Sequence, residues 1–403
     1  MKKCKLRWFK QQAYFVTIVA TLLTGSGEAK NKVLLLLNDV GEILKIDVDA
    51  GKILNKTYIP EAYYSNKIFT DPKGRYIMVG GGAQLALFLE PDSLLIKGVL
   101  KPEIPKLPWE KNNDDIYKER LSGFASVYGG EWAVIPDGNK LYFSGGVPQL
   151  KPTIVIDPFT YEIEKKIKEF VIYPDTIFSA DGKFMFISHR KTKEILVVDI
   201  QTDQIIKRIK ALSEQDGFRG NLLHVNFAHR LLVPTSSSSI GGGRCLVRVD
   251  IDSGEITNVM NDPFEGKWGD CAISDSGSYL VYNEYVLLPS GPNQVESIYT
   301  GKINIVDLEN MSRQSVSLRE QYPPDKWNLA SKCYMVPDQE KMLLAIKKEV
   351  DVNRPGPSYW NPKLRHRKLL QPLHLLDVDP QRVTIEKRIL LSEGGFKDCA
   401  FLQ

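Results

Sequence analysis

Residues 179–209 read SADGKFMFISHRKTKEILVVDIQTDQIIKRI, and this stretch decides the fold. Residues 180–183 (ADGK) have the composition of a tight turn, and an apolar run, residues 184–187, follows them. A second apolar run ends at Asp199, and after a polar turn a third run covers residues 205–209. Short runs rich in β-branched and aromatic residues, separated by turns of Asp and Gly, predict antiparallel hairpins.

The same pattern recurs along the rest of the chain. Each copy has an apolar run that ends in an acid and a turn, and these acids are Asp47, Glu90, Asp157, Asp199, Asp250, Asp307 and Asp377. The shortest spacings, 42 and 43 residues, match one four-stranded propeller blade. We therefore predict an all-β fold, a seven-bladed β-propeller of four-stranded blades. Six or eight blades remain alternatives, because the first strand of the fifth unit, residues 222–227, matches the pattern poorly.

The two ends of the repeat region complement each other. The first unit begins at Val33 with a second strand and has no first strand of its own. Residues 396–402 (FKDCAFL) resemble residues 268–274 (WGDCAIS), which are the first strand of the sixth unit. We therefore expect the C-terminal strand to complete blade 1 and to close a single propeller domain that covers residues 30–403.

Residues 1–29 have the pattern of a secretory signal peptide. Five basic residues precede an apolar run at residues 13–23, and small residues lead to a cleavage position after Ala29. An uncleaved anchor is the alternative. The net charge of +4 comes from this segment, since 48 basic and 48 acidic residues remain without it. We expect a neutral, periplasmic or secreted protein with no membrane span after cleavage, and the charge gives no support for nucleic-acid binding.

The repeat resembles that of a known family. Residues 179–209 are similar to the YVTN-type β-propeller repeat. The shared pattern is a small residue, an Asp-Gly turn, a strand, a second strand that ends in Val-Asp, a turn and a third strand. That superfamily includes the propeller (β) subunit of periplasmic quinohemoprotein amine dehydrogenases. The resemblance covers residues 32–403 at the level of repeats and implies the fold. No catalytic motif is matched, so it implies a non-catalytic subunit with no cofactor of its own and a quinone or haem on a partner subunit.

Loop lengths point to one face of the predicted propeller. The turns within each hairpin are short, whereas the long connections, residues 101–123, 235–244, 284–301 and 347–372, all fall on the opposite face. Long loops on a rigid scaffold commonly carry function, and simple tolerance of insertions is the alternative. We expect a protein partner or a small ligand to bind on this long-loop face.

The first strand of each blade begins on that face, beside the central channel. Aligning the units places six charged residues in one column: Lys67, Glu131, Asp175, Asp270, Lys332 and Asp398. This column predicts a channel rim that binds a cation, an amine or a polar substrate, and we include His189 and Trp132 in the candidate site. Alternatively, the Asp side chains accept hydrogen bonds from backbone amides where the strands begin.

The next column contains three of the five cysteines. Cys271, Cys333 and Cys399 take equivalent positions in blades six, seven and one. Equivalent positions of neighbouring blades are farther apart than a disulfide allows, so buried free thiols are the expected state. No Cys-x-x-Cys pair and no adjacent His accompany them, and we predict no metal site.

Three functions remain open. The first is a binding or scaffolding subunit, which needs no catalytic motif. The second is a stand-alone enzyme at the channel mouth, a lactonase-like or metal-dependent hydrolase, with Asp175, Asp270, Asp398, Glu131 and His189 as candidate ligands or bases. The third is an extracellular adhesion or assembly module. No Gly-x-Ser-x-Gly elbow before a helix and no Ser, His and Asp set can be assigned, so the catalytic residues stay unknown.

Overall fold

The computed structural model describes the following parts of the chain: residues 32–38, 41–59, 67–81, 85–100, 131–145, 152–173, 176–179, 181–189, 192–210, 216–218, 224–225, 230–237, 244–260, 267–274, 276–291, 294–321, 327–336, 341–348, 373–391 and 396–402. For some of these strand residues only the backbone is described. All described residues belong to one compact unit, Lys32–Gln403. Every regular element among them is a β-strand, and none of them lies in a helix that could cross a membrane.

The strands form seven antiparallel sheets, numbered here in chain order. Sheet 1 contains β1 (Val33–Asn38), β2 (Glu42–Asp47), β3 (Lys52–Tyr58) and the last strand, β29 (Phe396–Leu402). Sheet 2 contains β4 (Lys67–Thr70), β5 (Ile77–Gly81), β6 (Leu85–Leu89) and β7 (Ile96–Leu100). Sheet 3 contains β8 (Glu131–Val134), β9 (Leu141–Ser144), β10 (Thr153–Ile156) and β11 (Ile163–Ile167). Sheet 4 contains β12 (Ile177–Phe178), β13 (Phe184–His189), β14 (Glu194–Asp199) and β15 (Gln204–Lys210).

The remaining sheets lie in the second half of the chain. Sheet 5 contains β16 (Asp216–Phe218), β17 (His224–Val225), β18 (Arg230–Ser237), β19 (Arg244–Asp250) and β20 (Ile256–Met260). Sheet 6 contains β21 (Lys267–Ile273), β22 (Tyr279–Gly291), β23 (Gln294–Asp307) and β24 (Arg313–Ser317). Sheet 7 contains β25 (Trp327–Met335), β26 (Met342–Lys348), β27 (Leu373–Asp379) and β28 (Thr384–Leu391). In sheet 5 two short strands, β16 and β17, both pair with β18. The first-strand position of that unit is therefore divided between two segments, which is why its sequence matches the repeat pattern poorly.

The last strand of the chain belongs to the first sheet. β29 pairs antiparallel with β1, so that Val33 lies opposite Leu402 and Leu37 opposite Asp398. β1 pairs on its other side with β2, with Leu36 opposite Leu44. Sheet 1 therefore joins residues from near the two ends of the sequence, and its four strands follow the same antiparallel order as those of its neighbours.

The turn between the first two strands is the same in five sheets. In each, one amide N–H donates to the carbonyl oxygen five residues later, and the donors are Asp71, Ile135, Ser179, Ser274 and Val336. A glycine at the third position after the donor has a positive φ in sheets 2, 3, 4 and 6, for example Gly138 at 70°. Since this left-handed conformation costs a glycine little, the Asp-Gly and Ser-Gly pairs of the sequence mark this turn.

The turn between the last two strands uses a left-handed residue four positions after its acid. The residues with this positive φ are Gly51, Leu94, Tyr161, Asp203, Gly254, Met311 and Val383. In sheets 1 to 4 and sheet 7, the pairing shifts by one residue next to this turn. Such a shift is characteristic of a hairpin turn that is closed by a β-bulge. Five of the seven residues are not glycine, so glycine alone does not mark this turn.

This second turn corrects one repeat assignment. The acid of the seventh unit is Asp379 and not Asp377, because Asp379 Oδ1 accepts the amide N–H of Gln381 at 2.8 Å and precedes Val383 by four residues. Asp377 lies inside β27, opposite Lys387. The sequence offers two acids in succession, and only the turn geometry distinguishes them.

One predicted loop is a strand pair. Residues 284–301 are expected to form a long loop, but most of them continue β22 and β23 as paired strands. Tyr285 lies opposite Tyr299, and Leu287 lies opposite Ser297. The β-branched and aromatic residues of this segment, among them Tyr285, Val286 and Tyr299, favour paired strands and outweigh the loop character of its Pro and Gly residues.

Consecutive sheets pack through shared apolar cores. One core joins Met78 and Phe88 of sheet 2 to Phe143 and Ile154 of sheet 3. Similar cores join sheets 1 and 2, sheets 3 and 4, sheets 4 and 5, and sheets 6 and 7. Successive four-stranded antiparallel sheets that pack face to face in chain order are the architecture of a β-propeller.

Candidate functional site

Two residues of the predicted rim meet in the structure. Lys67 is the first residue of β4 and Glu131 is the first residue of β8, each four positions before the equivalent turn donor of its sheet. Their Nζ and Oε2 atoms are 3.2 Å apart, and the side chains are only 16% and 20% exposed. The sequence alignment therefore identified two charged residues of neighbouring sheets that form a half-buried ion pair.

The other rim residues are placed less completely. Asp270 lies in β21, Lys332 in β25 and Asp398 in β29, and only their backbone positions are described. Asp175 lies outside the described residues. The binding role of these four residues stays a prediction.

Trp132 lies next to the ion pair, in the seam between sheets 2 and 3. Its side chain is 2% exposed and packs on Phe143, with ring centroids 4.2 Å apart. The pyrrole edge of the indole lies against Gly80, where an added Cβ would be 3.1 Å from Cδ1 and 3.3 Å from Nε1. Gly80 is paired with Lys67 across β4 and β5, so the indole, the glycine and the lysine share one end of the seam.

Two polar atoms at this end have unused hydrogen-bonding capacity. Trp132 Nε1 is buried and has no hydrogen-bond partner among the described residues. Glu131 Oε2 is likewise buried without a well-formed hydrogen bond, although the Lys67 ammonium is close. Buried polar groups are nearly always paired, so two such atoms on adjacent residues require an explanation.

His189 is held by its own sheet. It is the last residue of β13, and its Nδ1 atom is 2.7 Å from Thr192 Oγ1. The ring also contacts Tyr173 edge to face, with the centroids 6.2 Å apart. These contacts fix the imidazole at the end of β13. The predicted place of His189 on the rim stays a prediction.

The cysteine column is confirmed at the level of the backbone. Cys271 lies opposite Tyr282, Cys333 opposite Leu344, and Cys399 opposite Leu36, in each case at the equivalent position of the first two strands. Their side chains lie outside the described part of the structure, so the free-thiol state stays a prediction. Among the residues whose side chains are described, no group of three or more His, Cys, Asp or Glu side chains is placed to hold a metal.

The opposite end of the same seam is a dense polar network that the sequence did not predict. Arg75 donates to both carboxylate oxygens of Asp71, each at 2.7 Å, and to the carbonyl oxygen of Asp137 and Oδ1 of Asn139, at 2.9 and 2.8 Å. Its guanidinium lies 4.6 Å from the centre of the Phe159 ring. The Asp-Pro-Lys-Gly-Arg turn of sheet 2 thus reaches the turns of sheet 3.

The charge of Asp71 is stabilised in this network. Burial by itself raises the pKa of the Asp71 carboxyl, but the hydrogen bonds and the positive charge of Arg75 outweigh burial, and the pKa lies below its ordinary value of 3.8. Tyr76 Oη donates to the carbonyl oxygen of Gly138 at 2.8 Å, and burial raises the pKa of Tyr76. The contacts of Arg75 with Asp137 and Asn139, and of Tyr76 with Gly138, tie sheet 2 to sheet 3.

A groove of about 670 Å³ lies between the outer strands of sheets 3 and 4. Its charged side chains are largely paired within the protein: Lys165 with Asp203, and Arg208 with Glu194, each pair with atoms 3.3 Å apart. Tyr142 also donates to Asp203 at 2.5 Å. Lys207 also donates to the carbonyl oxygens of Ile251 and Asp252, so most of the charged side chains that line the groove already have a partner within the protein.

Comparison with known proteins identifies no family. No family model matches the chain, and no curated protein matches it. Among solved structures, Kuenenia stuttgartiensis hydrazine synthase is similar at 15% identity, covering 83% of this chain and 87% of that chain, with a TM-score of 0.49. The Myceliophteria thermophila Cps50 (Swd1) β-propeller domain is 11% identical, covering 78% and 90%, with a TM-score of 0.49.

A third similar structure is dihydro-heme d1 dehydrogenase NirN in complex with DHE, 12% identical over 93% of this chain and 76% of that chain, with a TM-score of 0.45. At these values the likenesses carry no argument about function. The YVTN-type repeat and the amine dehydrogenase resemblance stay predictions.

Proposed function

We propose that this chain is an exported, seven-bladed β-propeller that serves as a binding or scaffolding subunit, with the channel rim on the long-loop face as its binding surface. The proposal takes the seven sheets as blades and the rim column as a ring around the central channel. It needs no catalytic group in this chain, and it assigns any redox cofactor, a quinone or a haem, to a partner subunit.

The contacts between first strands support a closed ring. β21 contacts β25, β25 contacts β29, and β29 contacts β4, so the first strands of sheets 6, 7, 1 and 2 lie side by side. The pairing of β29 with β1 makes the C-terminal strand the first strand of blade 1. Closure of this kind removes open sheet edges between the ends of the chain.

The Lys67–Glu131 ion pair is the observation that carries the binding role. The pair joins two blades at the end of the strands from which the long connections leave, and both side chains remain partly exposed. A ring of four acids and two lysines at that position gives a polar surface on a rigid scaffold. Periplasmic or secreted localisation follows from the signal-like N-terminal segment and is part of the proposal.

A comparison of native masses tests the proposal. The full chain, signal included, is expressed in its own host and isolated from the envelope fraction, and its native mass and partner are identified by mass spectrometry. We expect a complex with the wild-type chain that is lost with Glu131→Lys. Lys183→Glu, an exposed charge change on the opposite, turn face, serves as the control and should retain the complex.

Two results would contradict the binding role. One is a wild-type chain of monomer mass with nothing bound, and the other is equal retention of the complex by Glu131→Lys and Lys183→Glu. A stoichiometric metal in the purified wild-type chain would instead favour the metal-dependent hydrolase.

A further inference from the structure

The rim end of the seam between sheets 2 and 3 has the donors and acceptors of a small binding site. Trp132 Nε1 can only donate a hydrogen bond, and Glu131 Oε2, as a carboxylate oxygen, can only accept one. Both atoms are buried, and neither has a well-formed partner among the described residues. Leaving a buried donor or acceptor unpaired destabilises the protein, so a bound group that pairs with both atoms removes that cost.

Gly80 allows the indole of Trp132 to pack directly against β5. Lys67 and Gly80 are directly opposite each other on β4 and β5, and the pyrrole edge of Trp132 lies over the glycine. Any side chain at position 80 would contact that edge, because even a Cβ atom comes within 3.1–3.3 Å of it. The absence of a side chain at Gly80 therefore fixes the position of the indole, and β5 provides no side-chain acceptor for Nε1 at this position.

The charges define the kind of ligand. Lys67 and Glu131 form an ion pair at 3.2 Å, so the pair itself carries no net charge. Trp132 Nε1 requires an acceptor, and Glu131 Oε2 requires a donor. A hydroxyl group supplies both, and a molecule with neighbouring hydroxyls supplies them at two positions.

We propose that the rim end of this seam binds a small uncharged polyol, whose hydroxyl oxygen accepts from Trp132 Nε1 and whose hydroxyl hydrogen is donated to Glu131 Oε2. Lys67 positions the carboxylate through the ion pair. The inference rests on the proposed binding role of the rim, and it names the ligand class of one part of it.

Indole N–H resonances test the site directly. The chain has six tryptophans, so a ¹⁵N-indole-labelled full chain gives a simple spectrum, and the Trp132 cross-peak is the one that Trp132→Phe removes. Titration with glycerol should shift this cross-peak saturably. Acetate and methylammonium, charged probes of similar size, should shift it at least about tenfold less at equal concentration, since each lacks one of the two hydrogen-bonding roles.

Gly80→Ala is the blocking variant. It keeps the Trp132 cross-peak but places a methyl group against the pyrrole edge, so the glycerol-dependent shift should be lost. Gly182→Ala, whose added Cβ lies 3.6 Å from the nearest atom, Pro136 Cβ, is the matched control and should keep the shift. If Gly80→Ala does not fold, Glu131→Gln takes its place and should weaken glycerol binding about tenfold by removing the charged acceptor.

The inference is overturned if the Trp132 cross-peak does not shift saturably with glycerol, as expected for an indole paired with water alone, or if the charged probes shift it equally. This outcome is separable from failure of the proposed function, because the titration uses the purified chain without a partner. If the native complex is absent but glycerol still shifts the Trp132 cross-peak, only the scaffolding role is contradicted. If the native complex is present but glycerol does not shift the cross-peak, only the polyol site is contradicted.

Discussion

The two ends of the seam between sheets 2 and 3 differ in how completely their polar groups are paired. At the turn end, Arg75 donates to Asp71, Asp137 and Asn139, and Tyr76 donates to Gly138. At the rim end, buried atoms of two residues, Glu131 and Trp132, lack well-formed partners among the described residues. The same two sheets thus have one saturated end and one unsaturated end.

This difference assigns different roles to the two ends: the turn end holds the two sheets together, and the rim end is available for binding. A saturated network stabilises the packing of two sheets and leaves no capacity for a ligand. Unpaired buried groups cost stability, and proteins tolerate such costs mainly where a site requires them. The turn end should therefore respond to substitution chiefly in stability, and the rim end chiefly in binding.

Gly138→Ala should have the largest effect and tests the turn end most severely. A Cβ at position 138 would be 1.8 Å from Asp71 Oδ1, and φ is +70°, so clash and backbone strain add. We expect the free energy of unfolding to fall by about 3 kcal/mol or more in urea denaturation. Gly182→Ala has the same strain, φ +68°, without the clash, and should cost only about 1 kcal/mol. Equal losses for the two variants would mean that the Asp71 contact is unimportant.

Asp71→Asn should have the next largest effect. Asp71 is fully buried whereas Arg75 is 32% exposed, so breaking the pair leaves a guanidinium that water can partly solvate. We expect a loss of about 2 kcal/mol at pH 7, below the value for a fully buried pair. Asp181→Asn, which breaks an exposed pair with Lys183, should cost about 0.5 kcal/mol or less. A difference of less than 0.5 kcal/mol between the two variants (about the error of such measurements) would contradict the prediction.

The stabilisation by Asp71 should depend on pH in a defined direction. Because its folded-state pKa lies below 3.8, the ionised carboxylate stabilises the fold fully above the unfolded-state pKa, and this contribution is lost as the pH falls through the folded-state pKa. The stability difference between the wild type and Asp71→Asn, followed by urea denaturation, should therefore be constant from pH 7 to about pH 5 and shrink below pH 4. A difference that grows on acidification would show that the pKa is raised.

Tyr76→Phe should have a smaller effect at the turn end. The substitution keeps the ring and removes the hydrogen bond to the carbonyl oxygen of Gly138, which leaves that oxygen without its donor. We expect a loss of about 1 kcal/mol in the free energy of unfolding, measured in urea. No loss at all would mean that water replaces the hydroxyl and that this end of the seam is less closed than its contacts indicate.

Lys67→Met should change stability no more than Tyr76→Phe. The side chains of Lys67 and Glu131 are 16% and 20% exposed, so removal of the ammonium leaves a largely buried carboxylate and should cost about 1 kcal/mol, while the methionine keeps the apolar stem of the lysine. The same variant should weaken binding at the rim, which native mass spectrometry and the glycerol titration both measure. A stability loss comparable with that of Asp71→Asn would erase the distinction between the two ends.

The sequence predicted the repeat and the equivalent positions of Lys67 and Glu131 because local patterns determine both, and the rim as a binding surface stays a prediction. Asp-Gly pairs mark the first turn, and the fixed spacing from that turn to Lys67 and Glu131 placed both residues correctly. The last acid was assigned wrongly to Asp377, because the left-handed residue that identifies Asp379 is Val383 and not a glycine. A β-branched residue in this conformation has no local sequence signal.

The saturated network was not predicted because it is built across sheets. Arg75 and Asn139 are 64 residues apart, and nothing in either turn indicates the other. The role of Gly80 was missed for the same reason, since its partner Trp132 lies in the next sheet. A run of glycines at residues 80–82 was the one available signal, and close backbone approach is a usual reason for such a run.

The pairing of β29 with β1 has a consequence for the order of synthesis. The partner strand of residues 33–38, residues 396–402, is synthesised about 360 residues later. Until then sheet 1 has an open edge on β1, and its completion requires closure of a very long loop. Among the described strands, those of sheets 2 to 7 pair with strands close to them in the sequence, so these sheets do not depend on the last segment of the chain. Sheet 1 is therefore the last to be completed, and a ribosome stalled before residue 396 would present β1 to chaperones as an unpaired strand.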